Sequence, residues 1–490
     1  MRSLYDVGQI KAAEEQLLAL VPDGALMAQA AAGLARRCAD LLGRVYGARV
    51  VLLVGSGNNG GDALYAGALL AARGSAVSAV VVGSTPHAGG LSALRAAGGR
   101  VVTDAESAVA AADLVIDGLV GIGATGALRE PAAALARLLD AGHAVVVAVD
   151  LPSGVDASTG EVHGVAVRAD VTVTFGGLKV GLLVSPGAAY AGLVELVEIG
   201  LDLPEPAATA LDAADVAAML PTPSGEASKY TRGVVGVVTG SQQYTGAAVL
   251  STGGALRAGA GMVRFVGVPH AADQVRARWP EAVVTQVAAG EDGQIAEPAS
   301  ILDAGRVQAW AFGSGLGTGA VGVVETLLGT DLPVLVDADA LTALADRHEL
   351  LTRSAGTLIT PHAGEFARLM HADRDDVEAH RLSWARRAAA ELGVTVLLKG
   401  STTVVADPDG RTAVNTTATA WLGTAGSGDV LSGACGSLLA QGLSPFDAGR
   451  VGAFLHGLAG QLASQGSPLV AADLLDVWPD VERTVRSVVA

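Results

Sequence analysis

Short runs of Val, Leu and Ile, most ending in Gly or Asp, alternate with alanine-rich stretches along nearly the whole chain. That alternation is the pattern of strands and crossover helices in a largely parallel sheet, and it restricts the fold to the α/β class. In the first half the strand candidates are Val50–Val54, Ala76–Val82, Leu114–Ile116, Val145–Val149 and Val171–Phe175. The rhythm breaks between Gly200 and Ser228, where Leu203-Pro204-Glu205-Pro206 and Pro221-Thr222-Pro223 interrupt regular structure. It restarts with Val234–Val238, Val263–Val268, Val307–Phe312, Val334–Val336, Thr357–Ile359, Val394–Leu398 and Thr402–Val405. At 490 residues the chain is too long for one ordinary core. We expect a first domain over residues 1–205, a linker over 206–222 and a second domain over 223–490. A helical piece at Asp212–Leu220 belongs either to the linker or to the start of the second domain. No fixed-period repeat is visible, so the halves are expected to be different α/β domains.

Aromatic residues make up 3% of the chain and Gly numbers 65, a balance suited to close helix–sheet packing. The formal charge of −17 disfavours nucleic acid and acidic membranes as partners. Any bound phosphate must therefore be held by local donors. Cys38 and Cys435 lie far apart, which argues against a disulfide framework and for a reducing compartment. No apolar run approaches the ~20 residues of a membrane span. A soluble cytoplasmic protein is the expectation, and a homo-oligomer is expected because enzymes built on parallel sheets often assemble.

Chemistry in the first half concentrates where strands end. Val50–Val54 runs through Gly55-Ser56-Gly57 into Asn58-Asn59-Gly60-Gly61-Asp62 and then an Ala/Leu-rich helix. A glycine loop opening a helix offers amide donors and a positive helix end to an anion. The carboxamides and carboxylate add hard oxygen ligands for a cation or for ribose hydroxyls. Asp117 follows Leu114–Ile116 and precedes a second glycine loop, Gly121-Ile122-Gly123-Ala124-Thr125-Gly126. Asp150 follows Val145–Val149 and opens Leu151-Pro152-Ser153-Gly154-Val155-Asp156. Lys179 sits in Thr174-Phe175-Gly176-Gly177-Leu178-Lys179. Alone, Asp117 reads as a helix cap and Lys179 as a solvated lysine. In a parallel sheet, however, these positions all fall on the carboxyl edge, where ligands bind.

Together these segments resemble the N-terminal domain of the YjeF family, the NAD(P)H-hydrate epimerase, over residues 9–205. The resemblance implies a Rossmann-like three-layer domain that takes NADH hydrate or NADPH hydrate with a potassium ion. By position, Asn59, Asp117 and Ser153 would hold potassium. Asn58, Asn59, Gly60, Gly61 and Asp62 would contact the hydrate, with Gly121, Ile122, Gly123, Ala124, Thr125, Gly126, Ala127 and Asp150. Asp150 is the expected acid/base group and Lys179 a weaker catalytic partner. One departure is Ala63, where the family pattern has Gly.

In the second half, Gly423-Thr424-Ala425-Gly426-Ser427-Gly428-Asp429 runs into an apolar helical segment, Ala434–Ala440. Glycine amides at a helix start make an anion hole, and a carboxylate in the same turn can act as base toward a hydroxyl. Phosphoryl transfer to a hydroxyl needs both. A plain glycine-rich helix cap is the alternative reading.

The block resembles the ribokinase-like superfamily. Gly240-Ser241-x-x-Tyr244-Thr245-Gly246-Ala247, Gly313-Ser314-Gly315, Val336-Asp337-Ala338-Asp339, Thr360-Pro361-His362-Ala363-Gly364-Glu365-Phe366 and Leu398-Lys399-Gly400-Ser401-Thr402-Thr403 narrow it to the YjeF C-terminal domain, the NAD(P)H-hydrate dehydratase, over residues 215–488. The resemblance implies that Lys399, Gly400, Ser401, Thr402, Thr403 and Gly428 bind ADP or ATP, with magnesium as an optional companion. Ala247, Gly315, His362 and Asp429 would face the hydrate, and Asp429 would deprotonate its hydroxyl. Two departures are Ser427 for the commoner Thr in Gly-Thr-Gly-Asp and Ser314 for the commoner Pro in Gly-Pro-Gly. The implied activity is a bifunctional epimerase and dehydratase. The alternatives are a ribokinase-like small-metabolite kinase with an N-terminal regulatory ligand-binding domain, and a first half that binds without catalysing.

Overall fold

The computed structural model describes residues 1–83, 85–317 and 320–488. The chain divides into two compact units, Ser3–Ala208 and Thr209–Ala490, the latter joined by Met1–Arg2. Strands in chain order are β1 (Arg2–Tyr5), β2 (Arg49–Val54), β3 (Ala76–Val81), β4 (Arg100–Val102), β5 (Leu114–Gly118), β6 (Val145–Val149), β7 (Val171–Phe175), β8 (Leu178–Lys179) and β9 (Leu193–Val197). They continue with β10 (Ala208–Ala210), β11 (Val234–Val238), β12 (Met262–Gly267), β13 (Val283–Gln286), β14 (Ala309–Phe312), β15 (Val334–Val336), β16 (Thr357–Ile359), β17 (Thr395–Leu398), β18 (Thr403–Ala406) and β19 (Thr412–Asn415).

The first unit is built on a parallel sheet of order β4-β3-β2-β5-β6-β7-β9. Alternate residues of β2 serve two cores. Val50, Leu52 and Val54 pack with Leu34, Leu64 and Leu70 on one face. Val51 and Leu53 pack with Val109, Leu135 and Leu139 on the other. Both faces are thus covered, which is the expected three-layer arrangement and the reason the strands read as continuous apolar runs. The strand order reverses between β2 and β5, so the carboxyl ends of those two parallel strands flank the crevice where ligands of such sheets bind.

The second unit carries a sheet of order β13-β12-β11-β14-β15-β16-β17-β18-β19. It is parallel from β13 to β17, and β18 and β19 run antiparallel. Its reversal lies between β11 and β14. The helices Thr245–Arg257 and Ser427–Ala440 pack backbone to backbone. A Cβ on Gly433 would stand 2.0 Å from Ser251 O, and one on Gly254 would stand 2.3 Å from Val430 O.

Much of residues 206–222 has regular structure. Thr209 in β10 pairs with Ala413 in β19, and the helix Ala213–Met219 starts with a capping box on Asp212. Both belong to the second unit. The prolines at 204, 206, 221 and 223 bracket these elements without interrupting them.

Candidate functional site

In the first unit, Asn58–Asp62 forms the first turn of the helix Asn58–Ala72, with Gly57 as its N-cap, and does not form a separate loop. The tight β2–helix turn explains its glycines, since a Cβ on Gly60 would meet Gly55 O at 2.4 Å. Gly118 makes room for the departure at Ala63, because a Cβ on Gly118 would come within 2.7 Å of that of Ala63.

Asp117 is fully buried at the end of β5. Its Oδ1 accepts from Ser153 Oγ at 2.7 Å and from Leu119 N at 3.2 Å, and its Oδ2 accepts from Ser153 N at 2.8 Å. Burial pushes this carboxyl up to about 6, against those three hydrogen bonds. Among the described residues no cation pairs with it. Asn59 joins the group by donating from Nδ2 to Val120 O at 2.9 Å, and Ser153 Oγ accepts from Val120 N at 3.0 Å. The three residues expected around potassium therefore converge on one backbone segment at the sheet reversal.

Asp150 follows β6 with φ +66, a left-handed backbone that only Gly, Asn and Asp adopt with ease. Its Oδ1 accepts from Lys179 Nζ at 2.5 Å, from Thr174 Oγ1 at 3.1 Å and from Phe175 N at 3.1 Å. Lys179 is 1% exposed and also donates to Phe175 O at 2.8 Å. The expected surface character of an isolated lysine is thus replaced by a buried ion pair. A cavity of about 820 Å³ adjoins them, lined by Asn58, Asn59, Asp62, Asp150 and the loop Gly121–Ala127. Gly60, Gly61 and Lys179 do not line it. Glu14, on the helix Val7–Leu18, lines the cavity too and was not expected from the sequence. Burial and the charge of Asp150 raise its carboxyl. Asp62 is pushed up to about 8 by burial and by Asp150 and Glu14.

In the second unit, Gly426, at φ +87, turns the chain into the helix Ser427–Ala440 and places Asp429 in the first turn. Lys399, at the end of β17, reaches Asp337 Oδ1 at 2.8 Å and Glu365 Oε2 at 3.8 Å. Burial lowers the Lys399 ammonium, but Asp337, Glu365 and Asp429 together outweigh it and hold it above its ordinary value. Burial pushes Asp429 up to about 6. Asp337 adds to that rise, and Ser314 and Lys399 oppose it.

A cavity of about 770 Å³ is lined by His362, Lys399, Gly400, Ser401, Thr403, Ser427 and Gly428. Thr402 is buried and does not line it. Ala247 and Gly315 lie outside it as well. They meet each other at the β11–β14 reversal, where a Cβ on Gly315 would stand 3.1 Å from that of Ala247. His362 has a structural task. Its Nδ1 accepts from Gly364 N at 3.0 Å and Glu365 N at 3.3 Å, capping the helix Ala363–Leu369. Nothing in the sequence marks Asp337 as the partner of Lys399, whose Nζ it binds at 2.8 Å. Arg381, buried and unforeseen, donates to Lys399 O and to Glu378 and fixes the Lys399–Ser401 turn from behind.

Two largely parallel sheets, each with a polar constellation beyond the carboxyl ends of its strands, define a two-site α/β enzyme. Residues 235–478 match the family profile described as NAD(P)H-hydrate dehydratase, and residues 23–181 match that of the YjeF-related protein N-terminus. The bifunctional NAD(P)H-hydrate repair enzyme Nnr of Mycobacterium tuberculosis (strain CDC 1551 / Oshkosh) is 50% identical, over 90% of each chain. That of Moorella thermoacetica is 36% identical, over 91% of each. The crystal structure of the ADP/ATP-dependent NAD(P)H-hydrate dehydratase of Bacillus subtilis, co-crystallized with ATP/Mg2+, covers 57% of this chain and 99% of its own, with a TM-score of 0.51 and 30% identity. The chain belongs to the family of bifunctional NAD(P)H-hydrate repair enzymes. Membership favours the two-activity enzyme over the small-metabolite kinase.

Proposed function

We propose that the first unit interconverts the R and S hydrates of NADH and NADPH and that the second dehydrates the S form, with ADP as phosphoryl donor. The observation that carries this reading is Asp429, a carboxylate in the first turn of a glycine-started helix whose Gly428 lies against Lys399, where a Cβ would stand 3.4 Å from Nζ.

In the second unit, Asp429 takes the proton of the hydrate hydroxyl as its oxygen attacks the terminal phosphoryl group. The helix amides at Ser427 and Gly428, with Lys399 and the turn Gly400–Thr403, hold the transferring phosphate. Phosphate then departs with the C–O bonding electrons, and loss of a proton from the neighbouring carbon leaves the double bond. The phosphorylation is needed because hydroxide is a poor leaving group. Ala247 and Gly315 offer a close backbone approach to the hydrate, and His362 supports the opposite wall.

In the first unit, Asp150 moves the proton required to open and reclose the hydrated carbon, and Lys179 fixes its orientation. Asn58–Asp62 and Gly121–Ala127 hold the dinucleotide. A potassium ion fits the oxygen-rich set of Asn59, Asp117 and Ser153. When bound it supplies the positive charge that buried Asp117 otherwise lacks. We place the epimerase domain at 1–205 and the dehydratase domain at 223–490, and infer a cytoplasmic homo-oligomer.

The test is to supply a mixture of hydrate epimers with ADP or ATP and follow the long-wavelength absorbance of reduced nicotinamide. Full conversion of both epimers supports the reading; no recovery with either nucleotide overturns it.

A further inference from the structure

The helix Val7–Leu18 is held firmly against the first unit. A capping box on Asp6 starts it, Val7 N donates to Ser158 Oγ at 3.0 Å, and Gln9 Nε2 donates to Glu205 O at 2.7 Å. Ile10 and Ala13 are buried on its inner face. A Cβ on Gly177, just past the carboxyl end of β7, would meet Ile10 Cδ1 at 2.8 Å. With that face seated, Lys11 and Glu14, one turn apart, both line the cavity of the first unit.

Lys11 is exposed, and its ammonium overhangs the second glycine loop. A Cβ on Gly123 would stand 3.8 Å from Lys11 Nζ, so the glycine leaves the space beneath the ammonium open. Among the described residues Lys11 has no hydrogen-bond or ion-pair partner. Lysine is also scarce in this chain. Of 32 basic residues only four are lysine, and Lys179 and Lys399 belong to the two sites already described. The cavity needs positive charge. Carboxyl side chains of Glu14, Asp62, Asp150 and Asp156 line it in a chain of formal charge −17, and Lys11 and Arg129 are its permanently cationic lining residues.

We propose that Lys11 is a phosphate anchor of the epimerase site, its ammonium holding the pyrophosphate of the hydrated dinucleotide against the backbone of Gly121–Gly126; the role rests on the reading of this cavity as the hydrate site. Loop amides and a lysine supply complementary parts of such a cradle. The amides give fixed, directional donors, and the ammonium gives a compact point charge on a stem that can follow the anion. The pyrophosphate is common to NADH hydrate and NADPH hydrate, so Lys11 serves both equally.

The test uses the full chain without nucleotide, which leaves the second site idle, and follows conversion of pure (R)-hydrate to its S epimer by chromatography. Wild type, Lys11→Ala and Lys11→Arg are compared with NADH hydrate, with NADPH hydrate, and with inorganic pyrophosphate as inhibitor. Lys11→Ala is expected to raise KM about tenfold for both hydrates and to leave kcat within about twofold, because the anchor grips ground state and transition state alike. The retained kcat shows that the site is assembled. Pyrophosphate should compete with substrate in wild type and bind about tenfold more weakly to Lys11→Ala, and added salt should narrow both differences. Lys11→Arg keeps the charge and should restore most of the affinity. An unmoved KM, a loss confined to kcat, a KM change for NADPH hydrate alone, or equal inhibition of wild type and Lys11→Ala by pyrophosphate would each overturn the proposal. Absence of epimerisation by the wild type would instead overturn the reading of the cavity, so the two failures are distinct.

Discussion

Lys179 Nζ lies 2.5 Å from Asp150 Oδ1, and the lysine is buried to 1% exposure. An ion pair at this depth is stabilised only while both members are present. Lys179→Met is expected to destabilise the first unit by about 3–5 kcal/mol, because it leaves the carboxylate without its cation. Denaturant unfolding of the variant measures this, and dehydration of pure (S)-hydrate should persist wherever the chain stays folded.

Asp150→Asn keeps a side chain that tolerates the left-handed backbone at φ +66 but removes the titrating group. Epimerisation should fall by about a hundredfold or more, in line with loss of a general acid/base. The second site is untouched, so a mixture of epimers should stop near the fraction that is S. Chromatography of the residual hydrate gives the answer directly, and complete consumption would show that Asp150 is dispensable.

Asp62 makes a prediction about pH. Its folded carboxyl is pushed up to about 8, above the unfolded value, by burial first and by Asp150 and Glu14 after it. The folded state therefore binds the proton more tightly, and stability falls as pH rises from the ordinary carboxyl range through about 8. Asp62→Asn imitates the protonated form and should flatten that decline. Melting curves from pH 5 to 9 compare the two slopes; parallel slopes would contradict the burial argument.

Asp117 links pH to potassium. Proton and cation compete for the same buried carboxylate, which burial pushes up to about 6. Potassium should raise the melting temperature of the first unit near pH 8 and have little effect near pH 5. Asp117→Asn should remove the dependence. A potassium effect of equal size at both pH values would place the ion elsewhere.

The parts of the fold legible in the sequence are those where packing is two-sided. Val145–Val149, Val171–Phe175 and Val234–Val238 are continuous apolar runs because helices cover both faces, and each forms the strand it predicts. Edge strands carry no such mark. Arg100–Val102 and Leu193–Val197 border their sheet with partly exposed side chains, and Leu193 is 56% exposed. Residues placed by backbone junctions, such as Asn59, Asp117, Asp150 and Asp429, were visible because glycine and strand ends announce them. Glu14 and Arg381 were not. Each sits on an ordinary helix and reaches its site only through tertiary packing. His362 shows the opposite case: its place in a motif was evident, but its capping of the next helix emerges only from the distances.

The central claim is that one chain holds two separate sites acting in sequence on a hydrated dinucleotide. The most direct measurement is recovery of reduced-nicotinamide absorbance from an equal mixture of R and S hydrates plus ADP, in wild type, Asp150→Asn, Asp429→Asn and the two single variants mixed. The account predicts complete recovery for wild type and about half for Asp150→Asn, from the S share alone. It predicts none for Asp429→Asn, and complete recovery again for the mixture. Loss of both activities in either folded variant, or failure of the mixture to complement, would contradict it.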